Sequence, residues 1–293
     1  MIFLFKRQHQ NLELCTYFFF YYLNSLPSIF NRINFRVFKV EYIIVPIVAF
    51  LSSALTLLSG FGLGMMLSAA LFLFFPLDIA VALTAIVHFA NNILKIGLFK
   101  AHIDKTLVLR FGIPAIICAV IGAKVLNLIA HSESLGSFTV FGETVELVPL
   151  KITLGVLMIV FAYFKPNPKH TEKRSFLVYG GILSGFFGGL AGHQGGVRSA
   201  FLTKLDLKKE TFIASGVAIA CLIDISRISI YALDGKLNPA SESVNIMLLS
   251  IICAFLGVFL GKKMMEKTTY KTIQWIVKTL LTVQGIFIIL NRI

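Results

Sequence analysis

Apolar residues fall along the chain in eight blocks, at about 42–75, 79–99, 111–130, 147–164, 176–203, 211–231, 244–261 and 272–290. Several reach the roughly 20 residues that an α-helix needs to cross a bilayer. The pattern predicts an all-α polytopic membrane protein. Two blocks are interrupted by glycine: the first by SGFGLG at 59–64, the fifth by SGFFGGLAGHQGG at 184–196. KPNPKHTEKR at 165–174 is the most polar stretch between blocks and marks the midpoint. Residues 1–41 differ from the rest. There TYFFFYY at 16–22 is a short apolar run, cut off by Asn24 and Pro27 and flanked by Arg32, Arg36 and Lys39, the composition of an interfacial or unstructured leader. The expected organisation is a leader at 1–41, a first membrane repeat at 42–164, a basic loop at 165–175 and a second membrane repeat at 176–293.

The word repeat rests on a shift of 132 residues, which lays Ser52 on Ser184, Gly60 on Gly192 and Gly64 on Gly196. The two glycine interruptions coincide. At the same shift Asn92 falls on Asp224 and Lys95 on Arg227, so a polar pair spaced i, i+3 recurs at one place in each half. Apolar matches are common in such a composition, whereas matches of rare polar residues are not. Two homologous four-helix repeats with glycine-broken or re-entrant first helices follow as the expected architecture.

In hydrocarbon an unpaired backbone amide costs several kcal/mol, so a helix is interrupted only where protein or a water-filled cavity supplies partners. A second half-helix beginning after Gly196 would turn free N–H groups and the positive end of its dipole into that cavity. Duplicated halves with interrupted helices at corresponding positions are a pattern of secondary transporters, whose site lies where the repeats meet. The expected guest is an anion, held by Gly60, Gly62 and Gly64 in one half and Gly192, Gly195 and Gly196 in the other.

Composition agrees with the pattern: 57% of the 293 residues are hydrophobic, 14% are charged, and 27 Lys+Arg face 14 Asp+Glu. The basic residues sit in short loops beside apolar blocks, where they orient a membrane protein rather than bind nucleic acid. Lys/Arg bias is stronger if 176–203 dips into the membrane and returns, which leaves seven or eight crossings. Cys15, Cys118, Cys221 and Cys253 lack CxxC spacing and read as core residues.

A charge at the bilayer centre costs roughly 2.5–3.5 kcal/mol on insertion scales, so basic residues unable to reach an interface should line a pathway. Lys151 and Lys278 lie in the first turns of their segments and are expected to snorkel, and Lys124 has no basic counterpart in the other half. Lys95 and Arg227 are matched by the repeat. Arg198 follows the glycine break by two residues, where its guanidinium can grip an oxyanion with two hydrogen bonds. His193 and Gln194 lie in the break itself, to donate to the same anion, relay a proton or satisfy loose backbone. Thr84, His88, Asn92 and Lys95 fall at i, i+4, i+8 and i+11 and form one polar stripe. Asp224 is the only carboxylate deep in a span, to pair with Arg227 or take up a proton.

The paired glycine-broken first segments, four spans per half and the run GGILSGFFGGLAGHQGG resemble the sulfite exporter TauE/SafE family of membrane permeases over about residues 42–290. That resemblance implies export of a small sulfur-containing or organic anion, such as sulfite or sulfoacetate, across the bacterial inner membrane. In HQGGVR the chain departs from the family, with His193, Gln194 and Arg198 where glycine and apolar residues are usual.

The reading is a secondary transporter for a small anion, with the lipid bilayer as its surroundings and a proton or sodium gradient as its drive. Neither a cofactor, a resident metal nor a catalytic residue is expected, and a homo-oligomer stays open. The alternative is a cation or metal permease using His88, His193 and Asp224, set against at least three basic side chains. An intramembrane enzyme would want a partner for Asp224 or a GxSxG or HExxH run, and neither run is present. A membrane scaffold would use the glycines only for close helix packing.

Overall fold

The structure is a computed structural model that describes residues 39–59, 62–140, 143–163, 174–235, 241–264 and 270–290. Residues 1–38, Gly60 and most of the expected basic loop lie outside the described residues. The chain divides into two units, Met1–Ile43 and Ile44–Ile293, and everything below concerns the second. Helices account for almost all of it: α1 Glu41–Ser59, α2 Leu63–Phe72, α3 Leu77–Phe99, α4 Lys105–Ala130, α5 Pro149–Tyr163, α6 Arg174–Ala191, α7 Gln194–Leu202, α8 Lys209–Leu233, α9 Ser241–Met264 and α10 Tyr270–Ile289. Four of the described helices are long and apolar enough to cross a membrane, at Ile79–His102, Lys105–Ala130, Lys209–Leu233 and Ser243–Lys263. Four shorter apolar helices accompany them, at Glu41–Thr56, Leu63–Phe72, Pro149–Val160 and Ser175–Ala191.

Helix α4 shows why the chain needs lipid. Phe111, Ala115, Ala119 and Ala123 are fully buried on one face, while Leu109, Ile113, Ile117 and Ile121 are about half exposed on the opposite one. In water that second face would waste its apolar area; in hydrocarbon it is the surface that solvates. The helix begins at Lys105, six residues earlier than the apolar block, because the Asp104 carboxylate accepts from the Leu107 amide at 3.0 Å and caps it. Hydropathy does not register a cap, hence the displaced boundary.

The other difference lies between α4 and α5. Strands β1 (Ser137–Val140) and β2 (Glu143–Glu146) form a small antiparallel hairpin with Ser137 opposite Glu146 and Val140 opposite Glu143. It falls in a connection that the hydrophobic pattern treats as plain loop.

Most of the glycines in the fifth block do not interrupt anything. Helix α6 runs unbroken through Gly185, Gly188 and Gly189 to Ala191 and packs along α4. A Cβ on Gly185 would strike the Ala115 backbone, one on Gly189 the Ala119 backbone, and one on Gly122 the Phe186 carbonyl. Small residues here let two helices approach backbone to backbone, the device that replaces hydrophobic drive between helices in lipid. The scaffold role weighed for glycine is thus real for this half of the motif.

Helices from before and after the polar midpoint interleave. Helix α4 packs on α6 and α8, α3 on α8 and α9, and α5 on α10.

Candidate functional site

The interruption after α6 is two residues long. Gly192 turns the chain at φ 74°, a value that favours glycine, and His193 occupies the cap position before α7 starts at Gln194. The expected start after Gly196 is corrected by this: Gly195 and Gly196 are helical, so Arg198 stands on the second turn of α7 and not the first. The Gly192 amide donates to the Gly188 carbonyl at 2.9 Å and the His193 amide to the Phe187 carbonyl at 3.3 Å. Those two amides satisfy the end of α6 and are not directed at a ligand, unlike the expectation for Gly192. The Ser184 hydroxyl donates to the Gln194 carbonyl at 3.1 Å and ties α7 to α6.

The first interruption lies close by. Helix α2 starts at Leu63 after Gly62, whose φ is 124°, and a Cβ on Gly64 would stand 2.9 Å from the Gly192 carbonyl oxygen. The two turns are therefore neighbours. Gly60 lies outside the described residues.

Beside them a buried polar cluster centres on Asp224 of α8, which is fully enclosed. His88 Nδ1 is 2.7 Å from Asp224 Oδ2, and Asn92 Nδ2 donates to the same oxygen at 3.2 Å while standing 3.0 Å from His88 Nδ1. Gln194 Nε2 donates to Oδ1 at 2.8 Å, Arg227 Nε donates to it at 3.0 Å, and Arg227 Nη2 is 2.9 Å away. Polar side chains from three helices converge on Asp224: α3 gives His88 and Asn92, α7 gives Gln194, and α8 itself gives Arg227 from one turn away. Such a carboxylate is compensated by charge and saturated by donors, as burial demands. Arg227 also underlies the turn, with Nη1 2.6 Å from where a Gly192 Cβ would be. Tyr231, a further turn along α8, donates to the Gly189 carbonyl at 2.5 Å.

Arg198 is not drawn into that ion pair. Its Nη1 donates to Gln194 Oε1 at 3.2 Å, so one amide separates the guanidinium from the carboxylate. Beside Arg198 lies a small cavity, partly open to the outside. Its polar lining is Thr56, His88, Asn92, Lys95, Arg198 and Ser199; Leu202, Phe212, Ile213, Gly216 and Val217 supply the apolar part. Among the described residues no carboxylate lines it. Lys95 is 2% exposed and Arg198 5%. Among the described residues Lys95 has no hydrogen bond and no ion pair, so its ammonium is a buried charge without protein compensation.

Of the residues singled out from sequence, His88, Asn92, Lys95 and Arg198 line the cavity. Gln194, Asp224 and Arg227 form the cluster behind it, and His193 is enclosed at the turn. Gly195 and Gly196 are buried inside α7. Thr84 lies on the same buried stripe of α3 as His88 but bonds back to the Ala80 carbonyl. Thr56 and Ser199 on the lining, and Ser184 and Tyr231 behind it, were missed. Small hydroxyls within apolar helices are common enough that spacing alone does not separate them from structural ones. Among the basic residues left aside, Lys124 is exposed, and the Lys278 ammonium stands 3.9 Å above the Tyr163 ring. Among the described residues no group of three or more His, Cys, Asp or Glu side chains is placed to hold a metal ion.

The model of the sulfite exporter TauE/SafE family matches residues 45–288 of this chain. No curated protein and no solved structure matches it.

Proposed function

The chain belongs to the sulfite exporter TauE/SafE family, a family of membrane transporters, and on that premise we propose that it carries a small oxyanion through the cavity between α3, α7 and α8. One observation supports this above the rest: Lys95 and Arg198 are both buried, both line the cavity, and no acidic side chain among the described residues lines it with them. Burying a cation such as Lys95 is costly unless something compensates it, and an anionic guest would supply that compensation. Arg198 offers a flat fork of donors to such a guest, Lys95 a point charge, and Thr56 and Ser199 hydroxyls that turn to suit. A small sulfur-containing or organic anion, such as sulfite or sulfoacetate, meets that description. We read the protein as a secondary transporter of the bacterial cytoplasmic membrane, driven by an ion gradient.

The same reading includes two homologous halves. Positions matched by the 132-residue shift meet in space: Asn92 donates to Asp224. That is what two repeats facing one another across a shared axis would produce at residues on the axis. A cation or metal permease fits less well, since Asp224 is already engaged by His88, Asn92, Gln194 and Arg227 and the described cavity wall is basic.

In vesicles reconstituted with the protein, uptake of labelled sulfite and sulfoacetate is expected for wild type. Arg198→Ala and Lys95→Ala should each lower it at least about tenfold, the loss of one charge-assisted contact. Equal flux in wild type and both variants would remove this site; flux of divalent metals alone would point to the cation reading.

A further inference from the structure

We infer that a second site, for a co-transported proton, exists at Nε2 of His88, and that proton and anion load together. The inference rests on the anion cavity proposed above and names its coupling species.

The argument begins at Asp224. Its Oδ2 accepts from Asn92 and stands 2.7 Å from His88 Nδ1, and its Oδ1 accepts from Gln194 and Arg227. The ion pair with Arg227 and the N–H donors of Asn92 and Gln194 keep this group a carboxylate, an acceptor only. The 2.7 Å contact with His88 then requires the imidazole hydrogen on Nδ1. Neutral imidazole has one donor and one acceptor nitrogen, which leaves the lone pair on Nε2. His88 lines the cavity, and its Nε2 has no hydrogen-bond partner among the described residues. Asp224 therefore selects the tautomer, and the basic nitrogen is the one that remains for the cavity.

Loading is a simple step. A proton from water on the side the cavity faces forms an N–H bond at Nε2, and no bond within the protein breaks. The imidazolium then adds a third positive charge beside Lys95 and Arg198. The charged groups about it are Asp224 and Arg227 from α8, Arg198 from α7, and Lys95 on its own helix. Of the other helices against α3, α1 has Glu41 in its first turn only, α2 has no charged residue, and α9 has Glu242, Lys262 and Lys263 at its ends only. Three cations against one carboxylate oppose the proton while the cavity is empty. An oxyanion reverses that balance and gains an N–H donor in return, so each ligand tightens the other by the same factor.

Sodium does not fit this place. Hard cations require several oxygen ligands, and both oxygens of Asp224 are already engaged, beside arginine and lysine.

The test uses the full chain in vesicles with the membrane potential clamped at zero, labelled sulfoacetate as probe and a pH dye in the lumen. At one proton per anion an acid-outside gradient should accumulate the probe about tenfold per pH unit. Adding the probe should acidify the lumen, and a sodium gradient should do neither. Exchange of the probe at equal pH on both sides reads the anion site by itself. Wild type without exchange would overturn the anion reading and this inference with it; exchange without lumen acidification would overturn the proton site alone. In His88→Gln the protons carried per anion should fall to nil, and an unchanged ratio would overturn the assignment to His88. As a second measurement, probe binding to solubilised wild type should take up a proton, seen by calorimetry in two buffers, and binding to His88→Gln should not. Loss of binding in both His88→Gln and His88→Asn would make His88 part of the scaffold and overturn the assignment.

Discussion

Two interrupted helices lie side by side in this protein, and they use one backbone device for two ends. The first resumes after Gly62 into α2, whose ten residues are all buried and whose one polar side chain, Ser68, bonds back to the Met65 carbonyl at 2.9 Å. The second resumes after Gly192 and His193 into α7, which carries Gln194, Arg198 and Ser199. Helix α2 is packing, pressed through Gly64 against Gly192. Helix α7 is presentation: its first residue reaches Asp224 and its fifth reaches the cavity. A turn in a membrane helix therefore marks where backbone is relieved, while the side chains just past it decide whether a ligand is met.

That contrast can be broken from either side. The largest effect is expected at Asp224, which ties α7, but not α2, to α3 and α8. Asp224→Asn leaves Arg227 buried without its counter-charge and should cost about 3–5 kcal/mol, read as a lower unfolding midpoint in detergent. If the midpoint holds, the cluster is not what fixes α7. Next comes the turn itself. Gly192→Ala demands a left-handed conformation from an L residue and pushes into Arg227, which should cost about 1–3 kcal/mol by the same measurement. A neutral result would show that the second turn is looser than its φ implies.

Gln194→Ala sharpens the contrast without aiming at the core. It frees Arg198 to swing towards Asp224, so the anion KM should rise about three- to tenfold, the worth of a typical hydrogen bond, with maximal flux changed less. A change confined to maximal flux would assign Gln194 to a moving step. The smallest effect belongs to α2: Ser68→Ala removes a bond that only doubles back on its own helix and should shift stability by less than about 0.5 kcal/mol with KM unaltered. A large KM change there would place α2 in the binding path.

Much of this was legible in the residues. The described apolar stretches are almost all helical, and the turn at Gly192 and His193 falls within AGHQGG. Length and hydropathy are local properties, and the demand that lipid makes on backbone polar groups is so strict that they suffice. The hairpin at Ser137–Glu146 and the early start of α4 escaped because a turn and a side-chain cap carry little hydropathy. The site was legible in part. His88, Asn92, Lys95 and Arg198 were marked by being polar where polarity is costly, and the cavity gathers them.

The chain by itself determined that it is a bundle of membrane helices with two breaks, because cost in hydrocarbon is counted residue by residue. It also singled out the few buried charges. Only the tertiary structure decided what became of each. Lys95 and Arg227 look equivalent in sequence, yet one lines a cavity with no carboxylate among its described residues and the other is bound to Asp224. Six glycines look alike in SGFFGGLAGHQGG, yet Gly185 and Gly189 seat α6 on α4 while Gly192 alone makes the turn. Whether a charge is compensated and whether a missing Cβ is needed depend on what another helix brings within a few ångströms, and that distance exists only once the helices are packed.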